Sequence, residues 1–268
     1  MGGTFNGWSR PLNKLTPVQN RIVLCMRWGR LYSPEYVNVL YRACCQHIQG
    51  AFQFICLTDD HHGIAEGVEC YPIPDIGLVP QHYYDGAWPK LTVFLEDLYG
   101  LNGRALFIDL DSVICGSLDE MFETKGTLVG IDVGKRWRNP SAAAAPRLGT
   151  GVFAFDLGTL SVALAEITEK RDEVIAKDRL EQTYLARQIG DLCYWPRDWV
   201  LSFKYHLHRR FGLGLIQQPR TPPSQTKIVA FHGKPRPHEL LSSHKKIWGQ
   251  FPHLGAGPWH YMGRYWTL

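Results

Sequence analysis

Short apolar runs alternate with amphipathic stretches along the first two thirds of the chain. Between Arg21 and Met26, the residues Ile22, Val23, Leu24, Cys25 and Met26 follow one another, which predicts a strand buried on both faces. Ser33 then stands as an N-cap with Pro34 at the first helical position, and Val37, Leu40, Tyr41 and Cys44 recur at helical spacing. A strand followed by a helix opens an α/β sheet. Phe52 to Leu57 and Val68 to Ile73 predict two further strands, closed by Thr58-Asp59-Asp60 and by Pro74. Leu91, Phe94, Leu95 and Leu98 share one face of a predicted helix. A turn from Gly100 to Gly103 separates it from Ala105 to Ile108, predicted as a central parallel strand.

Val129 to Asp132 and Gly151 to Phe155 predict later strands. The connection between them, Gly134 to Leu148, is irregular, holds the alanine run Ala142 to Ala145, and has the length of a functional loop. Leu160, Ala163, Leu164 and Ile167 mark another helix, Leu180 to Ile189 a shorter one, and Ile228 to Phe231 a late strand. From Pro252 the chain is rich in glycine and aromatics without periodicity. At 268 residues this reads as one α/β domain, a mixed and mostly parallel sheet flanked by helices. Its core would span residues 21–240, after an N-terminal extension over 1–20 and before a basic, aromatic extension over 241–268.

Charge changes the picture at the C-terminal end. Residues 201–268 hold ten Lys or Arg and the single acid Glu239, a net of +9, whereas the first 200 residues carry −5. Seven of the eleven histidines fall in the same quarter. Such a region suits an anionic partner: a phosphate-bearing ligand, an acidic lipid surface or nucleic acid. Its basic residues are scattered through Gly, Pro and aromatic sequence with no recognition helix, so nucleic acid is not expected. No apolar run approaches the roughly 20 residues that cross a bilayer. No signal core follows Met1-Gly2-Gly3, and Asn6 stands where a myristoylation signal wants Ser or Thr, so a cytoplasmic protein is expected. The seven cysteines, Cys44 and Cys45 adjacent among them, show no metal-ligand spacing and read as reduced thiols.

Candidate chemistry concentrates where the apolar strand Leu106-Phe107-Ile108 ends in Asp109-Leu110-Asp111. In open α/β sheets ligands sit beyond the carboxyl ends of strands, and paired carboxylates there suit Mg²⁺ or Mn²⁺ against a diphosphate. Taken alone, acids at a strand end also arise as turn formers. About 120 residues later, Val229-Ala230-Phe231 runs into His232-Gly233-Lys234-Pro235, which offers a ring nitrogen and a cation, or an ordinary histidine turn with a surface lysine. Leu148-Gly149-Thr150-Gly151 leads into a strand in a form that lets a ligand approach the backbone. Glu181-Gln182 opens a helix, either toward a ligand or as an exposed first turn.

In order and spacing, over roughly residues 20–240, these segments resemble the GT-A glycosyltransferases, especially glycosyltransferase family 8 and related bacterial enzymes that build surface polysaccharide. There an apolar strand ends in Asp-x-Asp, a small residue and glycine open a later strand, an acid-Gln pair opens a helix, and His-x-x-Gly-x-x-Lys-Pro follows. Here the last motif is shortened, and Thr150 replaces the usual Asn or Ser. The resemblance implies a GT-A catalytic domain moving a hexose from a nucleotide-sugar, UDP-linked by family likeness, to a glycan, polysaccharide or lipid-linked acceptor with retention. It implies Mn²⁺, or Mg²⁺, on Asp109, Asp111 and His232, with Gly233 and Lys234 on the diphosphate. Lys90 would contact the donor phosphate and the acid pair. Cys25, Met26 and Tyr32 would cradle the base, with Leu110 and Gly151 also against the donor and Gln182 facing the sugar.

Two alternatives remain at this level. A haloacid-dehalogenase-like phosphatase also places Asp-x-Asp after an apolar strand, but wants a Gly-Thr pair where Ser112-Val113 stand. A protein that binds a nucleotide-sugar without turning it over is the other. Tyr194 to Lys204, with Trp195, Pro196, Trp199 and Phe203, is expected beside the acceptor or in the core. The clusters His208-Arg209-Arg210, His244-Lys245-Lys246-Trp248 and Trp259-Tyr261-Arg264-Tyr265-Trp266 suggest peripheral contact with the inner face of a membrane.

Overall fold

The computed structural model describes residues 20–139, 144–209, 211–241 and 246–266, without the side chains of Arg136 and Arg138. Most of the expected N-terminal extension, part of the alanine run, and Arg210, His244 and Lys245 lie outside the described residues.

The chain first lays down β1 (Arg21–Arg27), β2 (Gln53–Thr58), β3 (Glu69–Tyr71) and β4 (Arg104–Ile108). It continues with β5 (Ser112–Ile114), β6 (Leu128–Asp132), β7 (Leu148–Asp156) and β8 (Leu192–Tyr194). Seven of these form one sheet in the order β3-β2-β1-β4-β7-β6-β8. From β3 to β4 the neighbours are parallel, β7 runs antiparallel to both β4 and β6, and β8 is parallel to β6. The sheet is therefore the mixed, mostly parallel one that the apolar runs imply.

Alternate residues of each run feed two separate cores. Val23, Cys25, Phe54, Cys56, Leu106 and Ile108 face the helix Pro34–His47, which answers with Tyr36, Val37, Leu40 and Cys44. Ile22, Leu24, Met26, Ile55, Leu57 and Phe107 face the other way, toward Trp88, Leu91, Phe94 and Tyr184. Burial on both faces is why the strands read as unbroken apolar runs rather than as alternation. All seven cysteines are free thiols, and Cys25, Cys44 and Cys56 are buried.

The segment expected as a helix before β4 is instead a 3₁₀ run, Trp88–Phe94, in which every residue is buried. Pro89 opens it, Thr92 Oγ1 closes onto Pro89 O at 2.8 Å, and Leu95 already leaves the helical region. A segment enclosed on all sides has no solvent face for a longer amphipathic helix to present. The helix expected over Leu160 to Ile167 divides into a 3₁₀ turn, Ser161–Leu164, and the α-helix Ala165–Glu169.

A second sheet is made by β5 with β9 (Val200–Ser202) and β10 (Ile228–Ala230), in the order β5-β10-β9. β10 pairs antiparallel with β5 and parallel with β9. This sheet joins the acid motif to the histidine motif, because β5 begins immediately after Asp111 and β10 ends just before Phe231 and His232. A hairpin of β11 (Ile247–Trp248) and β12 (Gly255–Ala256) follows.

The C-terminal aromatics turn inward. Trp248, Trp259, Met262 and Trp266 are buried in the same core as the helix Pro34–His47; Tyr261 stacks on Trp259, and Tyr265 packs against Tyr261. Trp and Met side chains here gain more from covering the sheet than from a headgroup layer, so these aromatics do not form the membrane face expected of them. Among the described residues, no helix is long and apolar enough to cross a membrane.

Candidate functional site

The backbone places the two acids from opposite sides. Asp109 continues the β4–β7 ladder, its N–H donating to Gly151 O at 2.9 Å, while Asp111 O accepts from Phe231 N at 3.0 Å. Between them Leu110 turns into the core. Lys90, brought up by the buried 3₁₀ run, reaches both oxygens of Asp109 at 2.7 and 2.8 Å and also donates to Thr150 O at 3.2 Å. Tyr32, just beyond β1, donates its hydroxyl to Asp111 Oδ2 at 2.8 Å. Arg236 lies over the Tyr32 ring, 5.3 Å from its centroid.

One ammonium serves a crowded set of acids. Burial pushes the Asp109 carboxyl above its usual range against the pull of Lys90, and burial plus the neighbouring charge of Asp109 raises Asp111 from 3.8 to about 7. Glu181 is buried as well and takes a hydrogen bond from Thr150 Oγ1; burial raises its carboxyl too. It is therefore not the exposed first turn that its helix position allows. Burial works against the charge on Lys90, but Asp109, Glu181 and Asp111 together hold its pKa above the usual lysine value. Extra positive charge brought into this site would relieve the repulsion.

Two cavities meet at the acid pair and share Tyr84, Ala87, Lys90 and Asp109. The smaller, of 240 Å³, is lined by Met26, Trp28, Tyr32, Tyr83, Leu110 and Asp111. The larger, of 560 Å³, is lined by Gly149, Thr150, Gly151, Glu181, Gln182 and His232 among others. A methyl group on Gly151 would stand 3.5 Å from Asp109 Oδ2. Ile131 and Trp137 line both the larger cavity and a third beside it, of 270 Å³, walled by Trp195 and Pro196 with Asp132 and Arg197. Of the aromatic stretch from Tyr194 to Lys204, Trp195 and Pro196 therefore border the cleft system, Phe203 is core, and Trp199 stacks on Trp195.

Cys25 does not reach the cleft. Its neighbour Met26 lines the smaller cavity, but Cys25 points into the opposite core beneath the helix Pro34–His47, because each single step along a strand reverses the face. Gly233 and Lys234 are exposed and do not line either cavity. Gly233 has φ +71°, and a Cβ there would come within 3.4 Å of Lys204 Nζ.

Lys204 is the cation that the sequence motifs do not single out. It sits in a π-helical turn, Phe203–Leu207, directly after β9, half-buried below Gly233. Burial lowers its pKa while the charge of Asp111 draws it up. Nothing in the spacing ties it to the acids; the parallel pairing of β9 with β10 brings it there.

His232 lines the larger cavity with its Nε2 hydrogen-bonded to Ser202 Oγ at 2.8 Å, flanked by the rings of Tyr205 and Trp137. Among the described residues, no three His, Cys, Asp or Glu side chains converge as a ready cage for a metal ion. The carboxylate pair nevertheless suits a hard divalent cation, since both acids carry the cost of burial and share one ammonium. His232 would have to give up Ser202 to offer the same nitrogen.

The fold is similar to those of solved glycosyltransferases. An active-site mutant of LgtC, a galactosyltransferase, matches over 81% of this chain and 89% of its own length, with a TM-score of 0.54 and 12% identity. GlyE of Streptococcus pneumoniae TIGR4 matches over 81% of this chain at a TM-score of 0.52 and 14% identity, and the bifunctional glycosyltransferase WbbM over 87% at 0.50 and 12%. The chain spans 56% of GlyE and 49% of WbbM, about half of each. No protein-family model matches the chain, and no curated protein matches it. At these identities the likeness shows the fold, which is the GT-A fold of these glycosyltransferases.

Proposed function

We propose that this chain is a glycosyltransferase that moves a hexosyl group from a nucleotide diphosphate sugar to a hydroxyl of a glycan or lipid-linked acceptor. One observation carries the reading. Two carboxylates at the end of a central strand of the GT-A sheet, Asp111 buried and Asp109 part-exposed, line a cleft with a base-sized aromatic wall on one side and a polar chamber on the other. A divalent cation between Asp109 and Asp111, Mn²⁺ or Mg²⁺, would supply charge neutralisation for the diphosphate leaving group.

The chain's own residues have separable tasks in this reading. Lys90 keeps Asp109 ionised and oriented, and Tyr32 orients Asp111. Met26, Tyr32 and Leu110 wall the end that takes the base, for which a uridine nucleotide is the first candidate. Lys204 offers its ammonium to the leaving phosphate on the side where Lys234 points away into solvent. Gln182, with Thr150 and Gly151, faces the sugar. The bond between the anomeric carbon and the diphosphate oxygen breaks as the acceptor oxygen bonds to that carbon. The acceptor's proton passes to the leaving phosphate, with retention of configuration. The cavity of Trp195 and Pro196 extends the chamber toward the acceptor, where aromatic faces suit pyranose rings.

The test is turnover of a panel of nucleotide-sugars with Mn²⁺, Mg²⁺ or chelator. Loss of sugar from one donor in the presence of metal, absent in chelator and in Asp109→Asn, is expected. Binding of a donor with no sugar loss under any acceptor would instead favour a binding protein. Capture of an acylphosphate by a fluoride-metal complex would favour a phosphatase.

A further inference from the structure

The apolar surface of the C-terminal quarter lies where neither its tryptophans nor its terminal aromatics are. Phe211, Leu213, Leu215 and Ile216 follow one another in an exposed loop, with Phe211 78% and Ile216 80% accessible. Next to it the tip of the β11–β12 hairpin exposes Phe251 at 75%, and Ile247 points outward where its neighbour Trp248 points in. The two loops are packed together: His208 Nε2 contacts Leu254 O at 3.1 Å, and Gln218 Nε2 donates to Pro258 O, just past the hairpin, at 2.8 Å.

Glycine spacing creates the protrusion. A Cβ on Gly214 would stand 2.5 Å from Leu254 O, so only glycine lets the loop sit this close to the hairpin while Leu213 and Leu215 turn outward. Phe211 holds a left-handed conformation at φ +56°, which a bulky side chain rarely adopts, and does so with its ring in water. Six large apolar side chains are exposed together on this loop and the adjoining hairpin, a grouping that marks an interaction surface where singly scattered ones would not.

The surroundings are basic. Arg220 and Lys246 are exposed beside these loops, Arg209 is half-exposed at the loop's base, and Arg264 is exposed further along. Glu239, the single acid of residues 201–268, is taken up by the backbone N–H of Arg236 at 2.8 Å. Apolar tips set in a cationic field match an anionic lipid surface, where the rings and aliphatic chains enter the acyl boundary and the cations meet phosphates.

We infer that the loop 211–216 and the hairpin tip at Phe251 form a membrane-docking surface that inserts into the headgroup layer of an anionic bilayer. Phe211 stands only six positions after Tyr205, which lines the larger cavity, so the docked surface lies within about 20 Å of the cleft. That distance places a lipid-anchored substrate within reach of the cleft, a consequence that rests on the transferase reading; the docking itself does not.

The experiment uses the full chain without donor. Co-sedimentation with vesicles of phosphatidylcholine and phosphatidylglycerol in equal parts is compared with phosphatidylcholine alone, at low and high salt. Binding to the anionic vesicles at low salt is expected. Arg220→Ala and Lys246→Ala should each weaken it about fivefold, as about 1 kcal/mol per charge implies, and Phe211→Ser with Ile216→Ser at least tenfold. Circular dichroism of the variants guards against loss of fold. A Phe211→Trp variant reports insertion directly, by quenching of its added indole with brominated acyl chains. Unaltered sedimentation in Phe211→Ser/Ile216→Ser overturns the inference, as does fluorescence of the Phe211→Trp variant that gains no quenching over wild type on bound vesicles. So does a wild-type dimer in solution that Phe211→Ser dissociates, since the patch would then be covered by a second copy.

Discussion

Replacing Asp111 by Asn should stabilise the metal-free protein while removing its response to metal. Asp111 is buried beside Asp109, and the proton it holds at a pKa of about 7 in the fold is held at about 3.8 in the unfolded chain. The folded state therefore binds this proton more tightly, and stability is lost as pH rises from about 4 to about 7. At about 1.4 kcal/mol for each pKa step, the full difference is at most about 4 kcal/mol, and water in the open cleft reduces it, so about 2 kcal/mol is expected at pH 8. Asn has nearly the same volume and its carbonyl can still accept from Tyr32, so packing costs little. For a domain of this size the gain corresponds to about 4–8 °C in Tm.

Thermal unfolding in chelator at pH 5 and pH 8 measures it. The wild type should fall relative to the variant between the two. Mn²⁺ at a hundredfold excess over its Kd should then raise the wild type by about 2.7 kcal/mol and leave the variant unchanged. An Asp111→Asn protein less stable than wild type at pH 8 in chelator would mean that the carboxylate is not under electrostatic strain. An undiminished Mn²⁺ response would remove Asp111 from the metal site.

Lys204→Met should lower kcat/KM for the nucleotide-sugar about tenfold to hundredfold, the range of a lost hydrogen bond to a charged group; Lys234→Met, at an exposed position, should change it much less, and steady-state kinetics of both variants decides between the two lysines. His232→Ala should weaken Mn²⁺ binding, measured by calorimetry, by less than Asp111→Asn does, because the ring begins hydrogen-bonded to Ser202. Lys90→Met should leave Asp109 and Glu181 with no buried cation, costing a few kcal/mol of stability at pH 8 and less at pH 5, where protonation relieves both acids; denaturant unfolding at the two pH values reports the difference.

Periodicity was enough for the layers of this protein. Residues such as Ile22 to Met26 and Ala105 to Ile108 are apolar without a break because helices cover both sides of the sheet, and that pattern can be read in one dimension. The position of Asp109 and Asp111 at the end of a central strand followed from the same pattern, since a buried run must stop where two acids begin. Local sequence could not place what depends on which strands become neighbours. The pairing of β9 with β10 brings Lys204 under Gly233, whereas the His-Gly-Lys-Pro motif pointed to Lys234. Strand pleat sends Cys25 into the core and Met26 into the cleft, one residue apart. Composition made the C-terminal quarter basic and aromatic, but whether a tryptophan covers the sheet or meets solvent depends on the area it can bury after the chain has folded back. Trp248, Trp259 and Trp266 found that area, and Phe211, Ile216 and Phe251, held out by glycines and a close-packed hairpin, did not.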